Sequence, residues 1–334
     1  MDSPTFQPKS LFRALFLISP FFLWGTAMVA MKGVIPTTTP LFLAGTRLLP
    51  AGLLVLCAAA YLGRRQPSGW QAWVWILLFA LVDGALFQGF LAEGLLRTGA
   101  GLGSVMIDSQ PLAVAIMARF LFREQVGPVG WMGLAVGLLG ISLLGLPDAW
   151  ILQLLQGQLP TLTDAATLVE ALLQHGEWLM LLAALSMAVG TVMIRYVARH
   201  VDPIVATGWH MVLGGLPLFG LSARFEAHVW EAVSVTGWMA IAYATVFGSA
   251  IAYGVFFYLA AEGNLTSLSA LTFLTPVFAL LFGMVLLSES LSLIQWVGVG
   301  LTLVSIYLIN QRAQVWTVLL RLRGALINVK PDLS

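Results

Sequence analysis

Ten apolar stretches follow one another along the chain with short gaps: residues 12–34, 39–62, 72–93, 98–121, 127–146, 177–198, 203–222, 234–259, 265–287 and 292–311. A helix needs about 20 residues, at about 1.5 Å each, to cross a hydrocarbon core of about 30 Å. A water-soluble alternative lacks polar surface. Of the 334 residues, 9% are charged and 59% hydrophobic, whereas soluble chains carry about 25% charged residues. The expected fold is therefore an all-α integral membrane protein with ten transmembrane helices.

Several function classes drop out. The single cysteine, Cys57, sits in an apolar run, so there is no disulfide framework. His175, His200, His210 and His228 lack metal-ligand spacing, and no H-E-x-x-H, G-x-S-x-G or P-loop string occurs. No metal, no cofactor and no enzyme activity is expected. The net charge of +1 argues against nucleic acid as a partner. The first apolar stretch is long for a signal peptide and no A-x-A site follows it, so it counts as a helix.

Lys and Arg favour cytoplasmic loops. With the N-terminus inside, Lys9, Arg13, Arg64, Arg65, Arg119, Arg123, Arg195, Arg199, Arg312, Arg321, Arg323 and Lys330 all lie inside, and only Lys32, Arg97 and Arg224 lie outside. Both termini are then cytoplasmic, in an inner or plasma membrane. The connection 147–176 has no Lys or Arg and would lie outside. Thr163-Asp164 would cap a short interfacial helix there, ending at Gly176; the alternative is a lid over the path. Residues 312–334 form a cytoplasmic amphipathic tail with Gln314, Thr317 and Arg321 on its polar stripe.

A shift of 165 residues lays the chain on itself. Pro111 meets Pro276, Glu124 meets Glu289, Trp131 meets Trp296, Gly133 meets Gly298, Gly89 meets Gly254, and Gly25-Thr26 meets Gly190-Thr191. Each half (1–146 and 177–311) holds five spans. Five is odd, so the second half enters the membrane from the opposite side. Inverted-topology repeats suit alternating access, with a site near the midplane where the repeats meet. Small residues follow helical spacing on the fifth span (Gly130, Gly133, Gly137, Gly140) and on the tenth (Gly298, Thr302, Ser305). Such stripes let backbones approach, either between these two helices of a monomer or across a homodimer.

Three strings carry a resemblance: "FLWGTAMVAMKG" in the first span, "LFREQVGPVGWMGLAVGLLGISLLG" closing the first half and "LLSESLSLIQWVGVGLTLVSIYLIN" closing the second. Over about 12–312 the chain resembles EamA-type members of the drug/metabolite transporter superfamily. The resemblance implies export or facilitated movement of a small metabolite, amino acid or drug-like solute. The long 147–176 connection and the string "IDSQP" depart from the family pattern.

An ionisable group at the bilayer centre costs at least ~2.5–3.5 kcal/mol. Arg47, Asp83 and Asp108 all reach roughly 12–17 Å into a core of about 30 Å, so they share one level. Two acids against one base leave room for a carboxyl, on Asp108 or Asp83, that takes up a proton during the cycle. Alternatively Asp108 and Arg47 form a static pair. Glu93 and Glu124 sit near span ends and are weaker candidates; Glu124 and Glu289 read as helix-start charges. In "GSVMIDSQPLAVAI", Pro111 leaves the Ile107 carbonyl without its helical donor, and Gln110 and Ser109 lie beside it. Pro276 does the same to Thr272, near Thr275. Pro111 and Pro276 are thus candidate gating breaks. Gln88, Tyr253 and His210 complete the candidate set for substrate or proton. Trp24, Trp131 and Trp296 read as interface or packing residues. The expected function is secondary transport of a small organic solute through a membrane of lipid, either proton-coupled or uncoupled, with a non-transporting scaffold or sensor as the rival.

Overall fold

A computed structural model describes residues 8–31, 33–97, 106–145, 151–152, 156–157, 176–287 and 291–318. Among these, ten helices carry the fold: α1 (Pro8–Met31), α2 (Pro40–Tyr61), α3 (Trp70–Arg97), α4 (Gln110–Phe122), α5 (Gly127–Gly145), α6 (Glu177–Val197), α7 (Pro203–Phe225), α8 (Val235–Glu262), α9 (Leu265–Leu286) and α10 (Leu293–Asn310). Nine are long and apolar enough to cross a membrane; α4 has 13 residues. The first part of the fourth expected span, the helix expected at 163–175, Lys32 and Glu289 lie outside the described residues. The tail is helical as far as residue 318.

Helix is the form this composition dictates, because a backbone in lipid must satisfy its own N–H and C=O groups. The starts are marked by residues that supply what the first turn lacks. Asp202 accepts from Ile204 N at 2.9 Å and opens α7, Ser234 opens α8, Asn264 opens α9, and Ser292 with Gln295 forms a capping box on α10. Pro40 and Pro203 stand in first turns, where a missing N–H is harmless.

The two halves interlock. α1 packs on α8 and α9, and its counterpart α6 packs on α3 and α4. α2 lies along α7, its own counterpart, and α5 lies along α10. Equivalent helices meeting as pairs is the signature of a two-fold axis running between them. Glycine makes the contacts close: a Cβ on Gly84 of α3 would stand 2.9 Å from the Cα of Gly214 on α7. The small-residue stripes of α5 and α10 are used inside the molecule. Gly140 faces Thr302 and the Gly298 backbone, and the Ser305 hydroxyl donates to the Gly133 carbonyl at 2.6 Å.

α3 and α8 share an irregularity. Both are wound as π-helix in the middle, over Ala80–Phe87 and Ala244–Ile251. The π form is rare and favours functional sites. α4 and α9 are also interrupted alike. Asp108–Ser109 is a turn ahead of α4, and Leu271–Phe273 is a 3-10 turn inside α9. Pro111 and Pro276 each follow the interruption, in the opening turn of the regular helix.

Candidate functional site

The pseudo-two-fold axis can be located from one hydrogen bond. Gln88 on α3 and Tyr253 on α8 stand 165 residues apart, the repeat shift, and Gln88 Nε2 donates to Tyr253 Oη at 2.9 Å. Equivalent positions touch one another only beside the axis that relates them. Both residues are buried. Trp24 of α1 stands on Tyr253, edge to face, with centroids 5.1 Å apart; it belongs to this group rather than to an interface belt.

A narrow cavity of about 70 Å³ leads from one face of the bundle to that point. Its mouth is formed by Met31, Ile35 and Thr39 after α1 and by Leu95 and Leu96 at the end of α3; its floor holds Arg47 and Gln88. We call this the far face, opposite the near face where α1 begins. Arg47 is the one charged residue among the described residues lining the cavity. One of its terminal nitrogens donates to Ser249 Oγ at 3.3 Å, and its Nε is buried without a hydrogen-bond partner.

Asp83 and His210 form a second cluster. Asp83 sits in the π-wound part of α3, His210 on α7, and both are 1% exposed. His210 Nε2 lies 3.2 Å from Asp83 Oδ2, an ion-pair distance at an angle that leaves both carboxyl oxygens without a well-formed hydrogen bond. His210 Nδ1 is 2.6 Å from the Thr207 carbonyl. A carbonyl only accepts, so Nδ1 carries hydrogen. One further proton between Nε2 and Oδ2 makes their contact attractive, whichever atom holds it. Phe79 stacks on the imidazole at 4.2 Å, Phe257 meets it edge-on at 5.4 Å, and Gly190 of α6 lies directly against the Asp83 carboxyl.

The remaining candidates are more dispersed. Gln110, 1% exposed, donates to Thr191 Oγ1 on α6 at 3.3 Å, and its own carbonyl oxygen has no partner. Asp108 is partly buried in the turn before α4. The Thr272 hydroxyl donates to the Ser269 carbonyl at 2.7 Å, while the Thr275 hydroxyl is buried and unpartnered. Glu93 pairs with Arg97 of its own helix at 2.8 Å.

Glu124 serves a helix start, but in the other half of the chain. It accepts from Leu265 N at 3.0 Å and Thr266 N at 3.2 Å, closing α9 rather than the adjacent α5. Arg195 pairs with it at 3.0 Å, donates to the Gly263 carbonyl and covers the Phe122 ring. Arg312 reaches Gln125 O at 3.1 Å and Ser267 Oγ at 2.8 Å. This network ties together the near-face ends of α4, α6, α8, α9 and α10. Sequence reasoning missed it, along with Ser249 and Gly190. The repeat register held one usable signal: Gln88 and Tyr253, both candidates, are mates, and their contact is what places them beside the axis.

The model of the EamA-like transporter family matches residues 11–146 and again 174–311. The chain belongs to the EamA-like transporter family. An "uncharacterized transporter", sll0355 of Synechocystis sp., is 62% identical over 301 residues, 90% of each chain. A WAT1-related chloroplastic protein of Arabidopsis thaliana, At3g02690, is 53% identical over 88% of this chain and 68% of its own. A crystal structure at 20% identity superposes with a TM-score of 0.73 over 90% of this chain and 97% of that one, which shows a shared fold. As an EamA-like protein the chain is a multi-pass membrane transporter and not an enzyme. Its all-helical fold is that of the family's paired repeats.

Proposed function

We propose that this protein moves a small organic solute across a bacterial-type plasma membrane by alternating access, with both termini in the cytoplasm. The observation that carries the reading is the one-sided cavity. It runs from the far face to Arg47 and Gln88 at the pseudo-two-fold axis, while the near face below is tied shut by Glu124, Arg195 and Arg312. In an inverted repeat the two halves can exchange conformations, which opens the other face around the same axis. The excess of Lys and Arg on the near face supports a cytoplasmic assignment.

Asp83 and His210 are the proton carriers in this reading. A proton shared between a carboxyl and an imidazole is exchangeable when water reaches it, and Asp83 sits little more than one turn from Gln88, which lines the cavity from the same helix. A second reading, an uncoupled facilitator, is favoured by the closure around the pair, each member being 1% exposed.

Cys57 faces lipid, so a Cys57→Ser background accepts reporter cysteines. Single cysteines at Ala92, in the cavity wall, and Ser269, buried behind the near-face network, test the mechanism without a known substrate. Alternating access expects reciprocal labelling by a membrane-impermeant thiol reagent: conditions that raise one lower the other. Labelling of Ala92→Cys alone under every condition would sink it. In proteoliposomes screened for amino-acid and carboxylate counterflow, Asp83→Asn is expected to abolish the response to an imposed pH gradient and leave exchange; wild-type flux indifferent to the gradient would establish the facilitator.

A further inference from the structure

We infer that the solute is an organic acid whose anionic group is bound by Arg47, with its apolar body against the upper wall of the cavity. The assignment rests on the transport reading only in taking this cavity as the solute's. Apart from Arg47, the polar side chains among the lining residues are Thr39 and Gln88, both neutral; the remainder is Leu43, Leu91, Leu95 and similar residues. A guanidinium in such surroundings is costly unless an anion meets it. Its described hydrogen bond goes to a neutral hydroxyl, Ser249, and its Nε–H is left over.

A second unused donor stands nearby. Trp24 Nε1 is buried with no hydrogen-bond partner, on a ring that packs against Tyr253, whose hydroxyl holds the Gln88 amide. The unpartnered buried groups at the floor of the cavity are donors: the Arg47 Nε–H of the guanidinium and, one ring behind, the indole N–H, while the Gln88 amide is held by Tyr253. A carboxylate is acceptor-only and matches a guanidinium fork in two parallel bonds. An amine would add a donor to donors and a positive charge to a positive charge. Asp83 does not offset this, because it is turned to His210 on α7 and does not line the cavity. The apolar walls favour a carboxylate with a hydrocarbon or aromatic body over a small inorganic anion.

The test is protection of the Ala92→Cys reporter, in purified protein lacking Cys57, by benzoate, butyrate, benzamide, benzylamine and inorganic phosphate. Benzoate and butyrate are expected to slow thiol labelling, and the amide, the amine and phosphate to leave it unchanged. In Arg47→Gln the benzoate concentration for half-protection should rise roughly tenfold or more, the loss of a charge-assisted hydrogen bond. Arg47→Lys, which keeps the charge but not the fork, should fall between. Equal protection by benzamide or benzylamine, protection by phosphate matching benzoate, benzoate protection that survives Arg47→Gln, or no protection by either carboxylate would each overturn the assignment. Should Arg47→Gln fail to fold, the contrast between benzoate and benzamide on the otherwise unchanged protein decides alone. Protection needs no flux, so this result and the reciprocal labelling of Ala92 and Ser269 fail independently.

Discussion

Helices α3 and α8 have the same length, 28 residues, the same π-wound middle and the same place beside the axis, yet only α3 carries a charge in that middle. At the repeat shift Asp83 corresponds to Gly248, His210 to Gly45 and Arg47 to Val212. Gly248 does what a small residue does in a bundle: a Cβ there would meet the Ala27 side chain at 2.5 Å. The backbone architecture is thus duplicated, and the polar chemistry is held by one member of each pair. A fold needs both halves for closure, whereas one guanidinium and one proton-holding pair suffice for a solute path.

That comparison can be broken at Gly190 and Gly25, which are equivalent positions. A methyl at 190 lands on the Asp83 carboxyl, and one at 25 lands 2.6 Å from Phe278 Cβ. Both alanine variants are expected to lose about 1–3 kcal/mol from overpacking, read by thermal unfolding in detergent. Only Gly190→Ala should also lose the response to a pH gradient. Equal loss of that response in the two variants would mean that polarity is not confined to one side.

An effect of similar size in stability is expected from two carboxylates that close helix starts at opposite faces. Glu226 accepts from Leu41 N and Phe42 N at 2.9 Å each and from the Thr39 hydroxyl at 2.8 Å. Glu124 does the same for α9 and also pairs with Arg195. Glu226→Gln should cost about 0.5–2 kcal/mol, as caps do. Glu124→Gln should cost more, about 1.5–3 kcal/mol, because a charged partner is left behind. It should also raise labelling of Ser269→Cys from the near face. If Glu226→Gln raises it equally, the near-face network is no closure.

The smallest effect belongs to the axis itself. A double-mutant cycle of Gln88→Leu and Tyr253→Phe should give a coupling of about 0.5–1.5 kcal/mol, that of one neutral hydrogen bond.

Much of the fold is legible in sequence because lipid imposes a length. Nine of the ten expected spans fall within a few residues of observed helices, and α4 agrees at its end. The repeat is legible because Pro, Glu and Trp recur in one register. Side-chain facing is not legible, and the π turns give the reason. Residues five apart diverge by about 140° in an α-helix, but the wider winding of α3 brings such pairs toward one side. A wheel drawn for a regular helix therefore misplaces Asp83 relative to Gln88. The His210 partner of Asp83 and the α9 start served by Glu124 are both long-range in sequence, so no local spacing announces them.

The exchange of α1 and α6 between halves bears on biogenesis. A ribosome delivers α1 to α5 to the bilayer before any of their counterparts exist. During that interval α1 has no α8 or α9 to rest on, and Asp83 waits in lipid without its imidazole. The packing of α1 on α8 and α9, and of Asp83 on His210, is therefore completed only after the second five helices have entered the bilayer.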